Sequence, residues 1–155
     1  MESWNTCFFI GHREAGEIVS PALIQAVERH ITEYGVREFV VGHYGGFDNL
    51  AASVVREAKK SCPEVTLSLL LPYHPHDLSI PSLKEFDNTF YPPGMENVPK
   101  RAAIIRANRY MVEHSTHLIA YVWHAASQSK ELLEYARKRE KRGWIHIENL
   151  APQVQ

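Results

Sequence analysis

"VVGHYGGFDNLA", residues 40–51, passes from an apolar β-branched pair through three glycines into the start of a helical period. An apolar run that turns on glycine and continues as an amphipathic segment is the strand-to-helix half of a parallel βαβ unit. Over 48–60 that segment carries Leu50, Ala51, Val54, Val55 and Ala58 on one face. Spacing leaves two readings of the glycines open. They make a tight turn, or Gly45 and Gly46 let the backbone approach a ligand and offer helix N–H groups to an anion. The spacing is neither G-x-G-x-x-G nor a phosphate loop ending in Lys and Ser or Thr. Asp48 is placed either to cap the helix or to hold a ligand hydroxyl.

The same alternation extends in both directions. TCFFIG (6–11), REFVVG (37–42), VTLSLLL (65–71), HLIAYVW (117–123) and WIHIEN (144–149) read as strands. The second and fourth are almost continuously apolar, as strands covered on both faces are. Helical periods occupy 21–34, 48–60, 100–114 and 128–141. The first has Ser20 as N-cap, Pro21 at its first position and Gly35 beyond its end. The third presents Ile104, Ile105, Asn108, Met111 and Val112, and the fourth buries Leu132, Leu133 and Ala136 under a charged outer face. The expectation is one domain over 1–155, an α/β Rossmann-like three-layer sandwich with a five-stranded, mostly parallel sheet. Residues 72–99 hold six of the nine prolines and interrupt the alternation as a long Pro- and aromatic-rich loop insertion, a lid, binding loop or subunit contact. The tail 151–155 is expected to fray.

Composition narrows the function classes. With 17 Lys+Arg against 18 Asp+Glu and a formal charge of -1, bulk charge gives no case for nucleic acid, so any anion site must be local. The two cysteines have no redox or metal spacing, and no apolar run reaches the ~18 residues of a membrane span. A cytoplasmic location without a membrane partner is expected.

Ligands of open parallel sheets bind beyond the carboxyl ends of the strands, where strand order reverses. The segments that follow the strands are Gly11-His12-Arg13, then Gly42-His43-Tyr44-Gly45-Gly46-Phe47-Asp48, then Pro72-Tyr73-His74, then His124-Ala125-Ala126-Ser127-Gln128-Ser129. The Arg13 guanidinium suits a phosphate or carboxylate, or a structural salt bridge. Arg106 and Arg109 share a helix face and could add charge to the same cleft. Asn108 needs a partner for its amide, a ligand or a buried backbone group. Tyr44, Tyr73, Tyr91 and Trp123 can stack on a base or pack the core. His12, His43 and His124 each follow a strand, yet no pair has ligand spacing, so no metal is expected. Ser127 and Ser129 sit at a helix start, where serine caps, and no nucleophile elbow or Ser-His-Asp set is present.

Four separated pieces also match one family in order. FFIGHR (8–13), the pattern Gly42, Gly46, Asp48, Ala51, the stretch NRYMVEHSTHLIAYVW (108–123) and EYARKR (134–139) together resemble YpsA-like proteins of the SLOG superfamily, related to the LOG and Smf/DprA groups. The resemblance implies a Rossmann-like fold and a nucleotide-type ligand held by Gly11, His12, Arg13, Gly42, Gly45, Gly46, Asp48, Asn108, Arg109 and the 124–129 turn. By position, His43, Tyr44, His124, Ser127 and Ser129 join that set. Where LOG enzymes carry P-G-G-x-G-T-x-x-E, this chain has AASQS, and Leu132 stands at the place of their glutamate.

The leading expectation is therefore binding or sensing of a nucleotide-derived ligand, ADP-ribose-like or cyclic-nucleotide-like, without a cofactor. The alternatives are a nucleotide N-glycosidase of phosphoribohydrolase type, with Asp48, Glu131 or Glu134 as catalytic candidates, and a protein-interaction module acting through 72–99. Self-association is an open expectation of such folds.

Overall fold

The alternation becomes a doubly wound sheet in the computed structural model, which describes residues 6–42, 45–74, 83–123 and 127–154, the side chains of 153 and 154 excepted. Six strands are present: β1 (Thr6–Gly11), β2 (Glu38–Val41), β3 (Thr66–Leu70), β4 (Asn88–Phe90), β5 (His117–Tyr121) and β6 (His146–Asn149). They pair in the order β4-β3-β2-β1-β5-β6, and every pair is parallel. The helices are α1 (Ser20–Thr32), α2 (Gly46–Ser61), α3 (Lys100–His114), α4 (Gln128–Glu140) and the single turn α5 (Ala151–Val154).

The sheet divides the interior in two, as period-two alternation requires. Cys7, Phe9, Phe39, Val41, Ile119 and Tyr121 face α1 and α2, whereas Phe8, Ile10, Val40, Leu118, Ala120 and Val122 face α3 and α4. Phe9 anchors the first layer, its ring 5.9 Å from Phe39 and 6.4 Å from Phe47. All three are buried, and each such side chain contributes about 1.5–3 kcal/mol through area removed from water.

Four expectations are corrected. The sheet has six strands rather than five, because Asn88–Phe90, inside the 72–99 stretch, pairs with β3. Three residues are too few to show alternation. What holds this edge is backbone pairing, with Leu71 N–H donating to Phe90 O at 2.8 Å, and the Asp87 carboxylate, which accepts Leu67 N–H at 2.8 Å and pairs with Lys59. Ser20 is the first residue of α1 and not its cap, since a 3-10 turn at Glu17–Val19 leads into the helix. The buried stripe of α3 is Ala103, Ala107, Met111 and Val112, while Ile104 is half-buried and Ile105 exposed. The tail forms α5, with Leu150 and Ala151 buried.

Candidate ligand-binding cleft

Strand order reverses between β1 and β5, since the chain winds from β1 through β2 to β3 on one side and returns to β5 and β6 on the other. Helices leaving the two central strands toward opposite faces open a crevice at their carboxyl ends. A cavity of about 390 Å³ lies there, within the size range of small-ligand sites. Gly11 to Glu14 line it from the end of β1, Gly42 and Asp48 from the β2–α2 junction, Asn108 from α3, and Ser127 to Ser129 from the start of α4.

His12 holds the crevice together. It is almost fully buried, and its Nε2 accepts the Trp123 N–H at 2.9 Å. A ring nitrogen that accepts carries no proton, so the neutral imidazole has its hydrogen on Nδ1. This bond ties the end of β1 to the end of β5 across the reversal, with the Trp123 ring 5.1 Å away, edge to face. Trp123 itself is 45% exposed.

Arg13 follows immediately. Its side chain is exposed at the cavity wall and forms no ion pair among the described residues, so the salt-bridge reading finds no partner there. Its carbonyl accepts the Gly46 N–H at 2.8 Å. The two glycines thus grip the β1–α1 loop. Gly45, at φ 146°, would place a Cβ 2.7 Å from Arg13 Cα, and a Cβ on Gly46 would meet Arg13 O at 2.7 Å. Neither glycine lines the cavity, and the first amide of α2 is committed to Arg13. Gly45, not Asp48, is the N-cap residue of α2. Asp48 stands in the first turn of that helix, half-buried, on the cavity wall.

The start of α4 faces the cleft from the other side. Ser127 caps the helix, its Oγ accepting the Lys130 N–H at 3.1 Å, and Ser129 Oγ donates to Gly11 O at 3.4 Å. Here a helix N-terminus and its positive dipole end meet the cavity without a carboxylate lining it from that turn.

Other predicted residues lie elsewhere. Arg109 sits over the Tyr135 ring at 4.5 Å, and Arg106 lines a separate groove of about 210 Å³ beside Pro92 and Tyr110. Glu131 is exposed and does not line the cleft, and Glu134 pairs with Lys130 at 3.9 Å. Tyr73 donates to Lys100 O at 3.5 Å. His43, Tyr44 and His124 fall outside the described residues. Among the described residues no group of His, Cys, Asp and Glu could hold a metal ion, and no helix is long and apolar enough to cross a membrane.

Sequence reasoning missed the apolar wall. Ile104, Ile105, Leu132 and Pro72 line the cavity together with Gln128 and Glu14. Aliphatic residues at helical spacing look alike whether they face a core or a ligand, so only Pro72, which follows a strand, and Leu132, at the place of the LOG glutamate, were marked in advance.

The fold is similar to one solved structure in particular, the X-ray structure of DNA processing protein A (DprA) from Streptococcus pneumoniae, at a TM-score of 0.63 and 14% identity. The match covers 97% of this chain and 60% of that one, so the chain spans less than two thirds of that protein. No protein-family model matches the sequence, and no curated protein does. The likeness establishes a common α/β, parallel-sheet, Rossmann-like fold.

Proposed function

We propose that this chain binds a nucleotide-derived small molecule in the β1–β5 crevice and belongs to the SLOG-type group of Rossmann-like proteins. The observation that carries the reading is the Arg13 guanidinium, in no ion pair among the described residues, at a cavity on the strand-order reversal. A phosphate there would meet Arg13 and the start of α4, a sugar hydroxyl would donate to Asp48, and a flat base would lie against Ile104, Ile105 and Leu132. Asn108, whose amide takes part in none of the hydrogen bonds among the described residues, supplies both a donor and an acceptor on that wall. The motif order of the sequence and the fold shared with DprA support the grouping; the finer YpsA-like assignment rests on the motifs alone. What DprA does to DNA is that protein's property, and a formal charge of -1 gives no electrostatic reason to carry it over.

N-glycosidic hydrolysis is the weaker reading. It needs a carboxylate at the sugar, and of the three candidates only Asp48 lines the cleft.

Calorimetry against nucleoside mono- and diphosphates, ADP-ribose and cyclic nucleotides tests the proposal. At least one ligand is expected to bind, and Arg13→Ala is expected to weaken it about 10- to 100-fold, the worth of one charge-assisted contact of about 1.5–3 kcal/mol. Unchanged affinity in Arg13→Ala would remove the phosphate from this position. Release of free base, abolished by Asp48→Asn, would favour the hydrolytic reading.

A further inference from the structure

At the opposite end of the sheet, three histidines from three elements meet. His30 lies in the last turn of α1, His117 opens β5 and His146 opens β6. Their ring centroids are 5.3 Å apart for His30 and His117, 5.8 Å for His117 and His146, and 6.3 Å for His30 and His146. Tyr34 covers the group, stacked on His117 at 5.3 Å and edge-on to His30 at 5.0 Å and His146 at 5.2 Å.

The hydrogen bonds fix which nitrogen of His30 carries a proton. His30 is completely buried, and its Nδ1 lies 2.7 Å from the Ala26 carbonyl, which can only accept. Nδ1 therefore carries a proton, and Nε2, a bare lone pair in the neutral ring, is buried with no hydrogen-bond partner among the described residues. His117 Nδ1 lies 2.9 Å from Thr116 Oγ1. The remaining titratable groups offer little to a charged ring. They are Arg29 on α1, Glu33 and Tyr34 in the turn after it, Cys7 on β1, paired in register with His117, and Glu148 on β6, which favours a charged His30 but whose carboxylate is already bound by Arg29.

We propose that His30, His117 and His146 form a proton-operated latch that, as neutral rings, locks the end of α1 onto the starts of β5 and β6 and, when protonated, releases it. Two imidazolium ions at these separations repel one another, and at His30, fully buried, and His117, half-buried, little water is left to stabilise the charge, while His146 is exposed. Burial, then His30 and His146, hold His117 down to about 4, and burial lowers His30 as well. In the unfolded chain a histidine takes up its proton near pH ~6.5. Below that pH the unfolded state binds more protons than the folded one, so stability is full above about 6.5 and falls as pH drops toward about 4. The segment released first is the turn after α1, where Glu33 N–H meets Arg29 O and Val36 N–H meets His30 O.

The test uses the full chain in chelator-containing buffer. Proton NMR of the ring signals is expected to give His117 a midpoint near 4. Thermal unfolding is expected to show a Tm that falls from pH 7 to pH 5, with His117→Phe losing less than half as much over the same interval. Amide exchange at pH 5 is expected to lose protection at Glu33 and Val36 before the β1 core. A His117 midpoint near that of a free imidazole, or parallel Tm curves for wild type and variant, overturns the latch. If His117→Phe does not fold, the wild-type titration and exchange decide the matter alone.

Discussion

A methyl group on Gly11 would overlap the ring of Phe47, which is fully buried beneath the end of β1. The glycine in the GHR segment is thus demanded first by packing: Phe47, in the first turn of α2, fills the space a side chain would take. Gly11→Ala is expected to cost about 1–3 kcal/mol, the range for overpacking a filled core. Followed by circular dichroism, that is a fall in Tm of roughly 3–10 °C. An unchanged Tm would mean that Phe47 moves aside without cost. The next two residues carry different duties, His12 closing the crevice through Trp123 and Arg13 facing it. Their adjacency was legible in the sequence because a strand end followed by a cation is uncommon in a core; that the imidazole is a structural acceptor was not, since its partner is 111 residues away.

Among the elements, α4 bears most directly on the cleft. Its first turn depends on Ser127, whose hydroxyl satisfies the Lys130 N–H. Ser127→Ala is expected to lower stability by about 1 kcal/mol, read as a shift in urea midpoint without a change in slope, whereas Ser127→Gly should cost only a few tenths. The element pattern was largely readable, because strands covered on both faces and amphipathic helices leave clear periods. It failed where packing rather than periodicity decides. β4 is a three-residue edge held by Asp87 and by backbone pairing. On α3 the small residues Ala103 and Ala107 let the helix approach the sheet, turning the bulkier Ile104 and Ile105 toward the cavity. The same helical phase carries Arg109 away from the cleft, and Glu131 and Glu134 stand off the wall that Leu132 lines.

At the scale of the molecule, β5 joins two features. Its carboxyl end closes the cleft through Trp123, and its amino end carries His117 into the histidine cluster. The cleft was legible from one topological rule, that ligands lie beyond the carboxyl ends of strands at a reversal. That rule brought Gly11, His12, Arg13, Gly42, Asp48, Ser127 and Ser129 to one cavity from three separated stretches of chain, and Asn108, singled out by its amide, joins them there from α3. The aliphatic wall and the histidine cluster were not legible, because each is assembled by contacts between elements that share no local pattern. The most direct measurement is amide chemical-shift mapping of the nitrogen-15-labelled chain during titration with ADP-ribose and nucleoside monophosphates. Saturable shifts centred on Gly11 to Glu14, Asp48, Asn108 and Ser127 to Ser129, lost in Arg13→Ala, are the expected result. Shifts confined to the groove beside Pro92 and Tyr110, or none across the panel, would contradict it.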